Sequence, residues 1–104
     1  MENKVGKVYT IAELKDKLTP VFEGAPVYRA ILFGSYAKGA ADGDSDVDII
    51  IDSRRELINI NFYGVVGNAE DAVGKYVDMY EISQIRPESP IYPCIGEGVV
   101  IYER

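Results

Sequence analysis

Residues 46–52, Asp-Val-Asp-Ile-Ile-Ile-Asp, constrain the fold more than any other stretch of this chain. In a strand, side chains alternate between two faces. Val47, Ile49 and Ile51 then share one face, which should meet the core. Asp46, Asp48, Ile50 and Asp52 share the other. Aspartate is a poor strand former, so two of them flanking a valine ahead of an apolar run call for a reason beyond strand propensity. The fold has to be a sheet built around this segment.

The remaining elements follow from periodicity and punctuation. Residues 10–24 read as a helix, with Thr10 as cap, Glu13 completing a capping box, and Ile11, Leu14 and Leu18 on one face. Pro20 cannot donate a backbone hydrogen bond, which predicts a kink or break near Thr19. The run Gly24 to Pro26 stops the helix. Residues 27–33 read as a strand, 35–40 as a helical turn capped by Ser35, and 40–45 as a turn-rich loop. Residues 54–73 read as mostly helical with an interruption around Tyr63 to Gly67. Residues 75–82 form another strand, with Tyr76, Asp78, Tyr80 and Ile82 on one face and Val77, Met79 and Glu81 on the other. Residues 89–97 read as a short helix and 98–102 as a last edge strand. The order predicts an α/β or α+β fold, one mixed sheet with helices packed on one side, as a single domain over residues 1–104.

Bulk properties narrow the chemistry. With 104 residues the chain has one core and little beyond it, so a separate substrate-recognition domain would have to come from another chain. Eleven basic residues against 17 acidic give a net charge of −6. That balance argues against unaided binding to nucleic acid or anionic membrane. A divalent cation could still bridge an acidic protein to a nucleoside triphosphate. Histidine is absent, which excludes Ser-His and Cys-His catalysis by this chain alone and His-ligated zinc. The lone Cys94 excludes an internal disulfide and reads as a small packed residue. Met1 to Lys7 is polar and resembles no signal peptide, and no apolar run approaches a membrane span, so a cytoplasmic protein is expected.

The chemistry concentrates between Leu32 and Asp52. Gly34-Ser35 ends one strand, where glycine lets a ligand approach the backbone and a following helical turn offers free N–H groups. That suits a phosphate, although Gly-Ser alone is more often an ordinary capped turn. Asp46 and Asp48 project from one strand face, where two carboxylates gain by sharing a divalent cation. Mg²⁺ takes one or two carboxylates plus substrate phosphates. Asp78 is the candidate third carboxylate, to act as general base and to hold metal, if its strand lies beside that of Asp48; a lone exposed aspartate is the alternative. Asp42, Asp44 and Asp52 read as solvated charges. Most of the eight tyrosines read as packing residues, and Tyr36 as packing or as part of the nucleotide pocket. The apolar residues of 57–66 read mainly as core, with a partner surface as the other use.

At Gly34, Ser35, Asp46, Asp48 and Asp78 the chain resembles the DNA polymerase β-like nucleotidyltransferases, and within them the small MNT-type proteins. The strings GSYAKG and SDVDI and the ending GEGVVIYE carry the likeness, which extends over nearly the whole chain. Lys38 stands where an arginine is common, which keeps charge but loses bidentate phosphate contact. The resemblance implies a sheet of four or five strands, Mg²⁺ bound by Asp46, Asp48 and Asp78, and ATP held near Gly34, Ser35, Tyr36 and Lys38. It also implies an antitoxin that transfers AMP to a tyrosine of an all-helical HEPN-type RNase toxin, in a hetero-oligomer. A non-catalytic module that masks its partner is the first alternative. A small-molecule transferase of the aminoglycoside-modifying type is the second, disfavoured because no residues remain to hold the drug.

Overall fold

The computed structural model describes residues 7–104, so the polar segment before Lys7 lies outside the described residues. The elements are α1 (Ile11–Glu23), β1 (Arg29–Phe33), α2 (Gly34–Lys38), β2 (Val47–Asp52), α3 (Asn61–Val73), β3 (Val77–Glu81), a 3₁₀ turn (Ile82–Gln84), α4 (Cys94–Glu97) and β4 (Val99–Glu103). The sheet has four strands in the order β3-β2-β1-β4. β1 pairs antiparallel with β2 and β4, and β2 pairs parallel with β3, so the sheet is mixed as expected.

The two long helices, α1 and α3, cover one sheet face. Leu14, Leu18 and Phe22 of α1 and Val65, Ala69 and Val73 of α3 repeat every fourth residue and are all buried. They pack on Ala30, Leu32, Val47, Ile49, Ile51, Val77 and Met79. The opposite face holds a smaller cluster of Ile31, Phe33, Ile50 and Ile85, with Ile82, Ile91, Cys94 and Ile95 against it. Ile50, assigned by alternation to the aspartate face, is therefore buried there by residues 82–95.

The helix boundaries differ from the sequence expectations in three places. The capping box is present: Thr10 Oγ1 accepts from the Glu13 N–H at 3.1 Å, and Glu13 Oε1 accepts from the Thr10 N–H at 2.8 Å. Yet α1 runs through Pro20 without the expected break. One lost backbone bond is outweighed by the burial of Phe22 beyond it. The Arg104 Nη2 also donates to the carbonyls of Phe22, Glu23 and Ala25, which holds the helix end against β4. Second, α3 is continuous across Tyr63 to Gly67, and the interruption falls earlier, over residues 53–60. Gly64 and Gly67 weaken the helix locally, but its buried stripe spans both of them. Third, residues 87–93 are turns, and only Cys94–Glu97 are helical.

One buried carboxylate ties the irregular segment to the sheet. Glu81 is only 3% exposed. Its Oε2 accepts from the Ser53 N–H at 2.9 Å and from the Ser53 hydroxyl at 2.7 Å. Its Oε1 accepts from the Ser83 N–H at 2.8 Å and also from the Ser83 hydroxyl. Burial alone would raise its pKa, but these hydrogen bonds, led by Ser83 and Ser53, hold it below the ordinary 4.5. A depressed carboxylate stabilises the fold above its unfolded pKa and loses that contribution as pH falls through the folded value. Glu81→Ala is expected to cost about 3 kcal/mol in chemical denaturation at pH 7, because four donors lose their acceptor. The gap between variant and wild type should narrow below pH 4.5. An unchanged gap would mean that the charge contributes nothing.

Candidate active site

The site assembles at the end of the sheet where β1 turns into α2. The β1–β2 register sets Phe33 opposite Asp48, and the β2–β3 register sets Asp48 directly opposite Asp78. Directly opposed residues in a sheet project from the same face. Asp48 and Asp78 therefore stand side by side on the face away from α1 and α3. Asp46 lies one residue before β2, exposed, and near enough to act on Asp48.

Electrostatics show how tightly the group is drawn together. The Asp48 carboxyl is pushed up to about 6, first by burial, then by the charge and hydrogen bonding of Asp78, then by the charge of Asp46. On β3 the Tyr80 hydroxyl is raised as well, by burial and by the charges of Asp78 and Asp48. Two neighbouring acids thus bear on Asp48, and none of the causes is a cation. Among the described residues, no set of three acidic, cysteine or histidine side chains closes into a finished metal cage. What exists is an open acidic face. That fits Mg²⁺, which keeps waters and substrate phosphates in its shell and takes only one or two carboxylates. Asp48 and Asp78 stand in register on that face, with Asp46 exposed just before β2.

Gly34 shapes the other wall. Its φ is 73°, a left-handed value that residues with a Cβ adopt at a cost. A Cβ there would lie 2.2 Å from Asp48 Oδ2. The bend and the carboxylate therefore crowd one space, and a side chain at position 34 would have to push the Asp48 carboxylate aside. Ser35 follows inside α2 and is partly buried. It does not cap the helix, because the N-cap position belongs to Phe33, which makes no side-chain cap bond. Lys38 is exposed in the last turn of α2.

Tyr36 goes elsewhere. It is 4% exposed in the main core, and its hydroxyl donates to the Lys7 carbonyl at 3.4 Å. The ring is held by apolar packing and does not join the carboxylates. Asp42 organises the loop before Asp46: its Oδ1 accepts from the Asp44 N–H at 2.9 Å and from the Ser45 hydroxyl at 3.3 Å. Two residues without an assigned role in the sequence also border the site. Tyr80 shares its face with Asp78 by simple alternation, a signal available in the sequence, and its ring lies 6.0 Å from that of Phe33. Lys75 is 5% exposed, and its Nζ donates to the Gly43 carbonyl at 2.9 Å, which braces the loop carrying Asp46. Nothing in the sequence pattern marked that long-range contact.

Known proteins share both the sequence and the fold. The family described as "Polymerase beta, Nucleotidyltransferase" matches residues 16–104. A protein of Methanocaldococcus jannaschii named "Putative protein adenylyltransferase MJ0435" is 31% identical over 77 residues, covering 74% of this chain and 83% of that protein. Among solved structures, a chain from a crystal structure of a toxin-antitoxin with AMP-PNP superposes with a TM-score of 0.72 at 20% identity. A chain from a mutant of the toxin-antitoxin MntA-HpeT superposes with a TM-score of 0.69 at 17% identity. Each alignment covers 86% of this chain and 73% of the other. The family match takes in the glycine bend and all three aspartates, so the site lies inside the shared region: this chain belongs to the polymerase beta nucleotidyltransferase family and is a nucleotidyltransferase.

Proposed function

We propose that this chain transfers AMP from ATP to a hydroxyl of a toxin protein and so acts as its antitoxin. The observation that carries the reading is the in-register pair Asp48 and Asp78, with Asp46 beside it and Gly34 against it. A relative named as a protein adenylyltransferase and a fold shared with toxin-antitoxin chains support the acceptor class. That the toxin is an all-helical HEPN-type RNase and the acceptor a tyrosine rests on the family resemblance.

The chemistry follows from the placement. Mg²⁺ bound at Asp46, Asp48 and Asp78 would neutralise the triphosphate and polarise its α-phosphorus. Gly34 leaves the backbone open to the phosphates. Asp78, on the exposed side of the pair, accepts the proton of the attacking hydroxyl. The new bond joins the acceptor oxygen to the α-phosphorus, the bond to the β-phosphate oxygen breaks, and pyrophosphate leaves. Orientation and charge stabilisation supply most of the acceleration.

The test is to mix the purified chain with the product of the adjacent gene, Mg²⁺ and ATP, and weigh the partner. A gain of one or more AMP units is expected, and none with Asp46→Ala/Asp48→Ala. No gain on a folded, bound partner removes the reading. Exposed Ile60 and Tyr63 favour a second one, in which contact alone neutralises the toxin. Full neutralisation by the double variant would establish that second reading.

A further inference from the structure

We infer that Lys75 is a positioning residue, which fixes Asp46 beside Asp48 and Asp78 so that the three can share Mg²⁺. This rests on the transferase reading above and adds what holds the first carboxylate in place. Asp48 and Asp78 lie inside β2 and β3, and the pairing of those strands sets their backbones. Asp46 has no such support. It precedes β2, at the end of a loop (residues 40–46) in which every residue is exposed or only partly buried. Loops hold functional groups less exactly than strands do. The hydrogen bonds inside this loop run inward. The Asp42 N–H donates to Ser45 Oγ at 2.9 Å, the Ser45 N–H to the Asp42 carbonyl at 3.1 Å, and the Asp44 N–H to Asp42 Oδ1 at 2.9 Å. They give the loop its shape but do not attach it to the sheet.

The attachment comes from two consecutive residues just ahead of β3. Lys75 Nζ donates to the Gly43 carbonyl at 2.9 Å, and the Tyr76 carbonyl accepts from the Val47 N–H at 3.0 Å. Gly43 and Val47 lie on either side of Asp46 in the chain, so the two bonds clasp the segment that carries it. Asp78 follows Tyr76 in the same short run. Residues 75–78 thereby carry one carboxylate and hold a second. Lys75 is buried, so its ammonium acts on the loop and not on a substrate from solution. A buried ammonium is a costly way to fill space. What it supplies that an apolar side chain cannot is a charge-assisted hydrogen bond at the end of a long stem. Groups that orient a metal's ligands without touching the metal typically change its affinity by about 10- to 100-fold when removed.

The experiment titrates the full chain with ATP by calorimetry over a range of Mg²⁺ concentrations. It compares the wild type with Lys75→Met, Asp46→Asn and the two combined. Lys75→Met keeps an apolar stem and removes the donor. The Mg²⁺ concentration that half-saturates ATP binding is expected to rise about tenfold or more in Lys75→Met. In the Asp46→Asn background the same change should add less than about twofold, because its effect passes through that carboxylate. Amide exchange in Lys75→Met should quicken at Asp44 and Ser45 and stay unchanged at Ile49 to Ile51. Lys75→Gln, shorter and polar, carries the same expectations should Lys75→Met prove unfolded. An unchanged Mg²⁺ requirement overturns the inference. So do losses that multiply fully in the combined variant, and so does faster exchange throughout β2, since either makes Lys75 a general prop of the fold. A wild-type chain that takes up no ATP at any Mg²⁺ concentration refutes the transferase reading itself, a distinct outcome read from the first titration.

Discussion

An Asp48→Asn variant is expected to lose transfer by on the order of 10³-fold and yet to melt at a higher temperature than the wild type. The two effects share one cause. Asp48 is crowded by Asp78 and Asp46, and its carboxyl is pushed up to about 6. A carboxylate whose folded pKa exceeds its unfolded value makes the fold less stable as pH rises from about 4 to 6. Asparagine removes that repulsion. Allowing for the partial exposure of the group, the gain at pH 7 is on the order of 1 kcal/mol, or about 4 °C in a domain of this size. Mg²⁺ with ATP should raise the melting temperature of the wild type and leave the variant where it is. Below pH 6 the wild-type response should shrink, because protons compete with the metal for the same oxygens. Thermal melts across pH 5 to 8 with and without Mg²⁺-ATP check all of this. A variant less stable than the wild type at pH 7 would show that the aspartates are not in conflict.

Gly34→Ala is the second change with a large expected effect. The left-handed φ of 73° costs a Cβ-bearing residue about 1–2 kcal/mol. The added carbon also meets Asp48 Oδ2 at 2.2 Å, a distance that has to open. Either the carboxylate swings away or the β1–α2 bend shifts, and both disturb the geometry of the reacting groups. Transfer should fall at least 10²-fold, because small displacements of positioned groups are expensive. Asp48→Gly in the Gly34→Ala background should regain stability without regaining activity, since it removes the clash together with the ligand. Chemical denaturation and pyrophosphate release measure the two sides. Wild-type activity in Gly34→Ala would mean that this bend has no part in catalysis.

How much of this was legible depends on the range of the interaction involved. Alternation alone placed Asp48 and Asp78 each on a defined strand face, and Val47, Ile49 and Ile51 in the core. The register that makes Asp48 and Asp78 direct neighbours comes from a parallel pairing across α3, which no local pattern encodes. Pro20 and Gly64 misled for the opposite reason: local propensity argued for breaks, and the buried stripes of α1 and α3 overrode it. Glu81 fell on the core face by alternation, but its four hydrogen bonds come from Ser53 and Ser83, one of them far away in sequence. The second apolar cluster was invisible because residues 82–95, which cover Ile31, Phe33 and Ile50, carry almost no regular structure.

The aspartates differ in how firmly their backbones are anchored. Among the described residues, Asp48 sits in β2 with a strand on either side, whereas Asp78 sits in β3 with a strand on one side only. Moving the first means tearing two ladders, and moving the second strains one. Related chains that act on different recipients could therefore diverge in the outer strand and its surroundings while the inner half of the site keeps its shape. An engineer seeking a new recipient would begin with the outer strand.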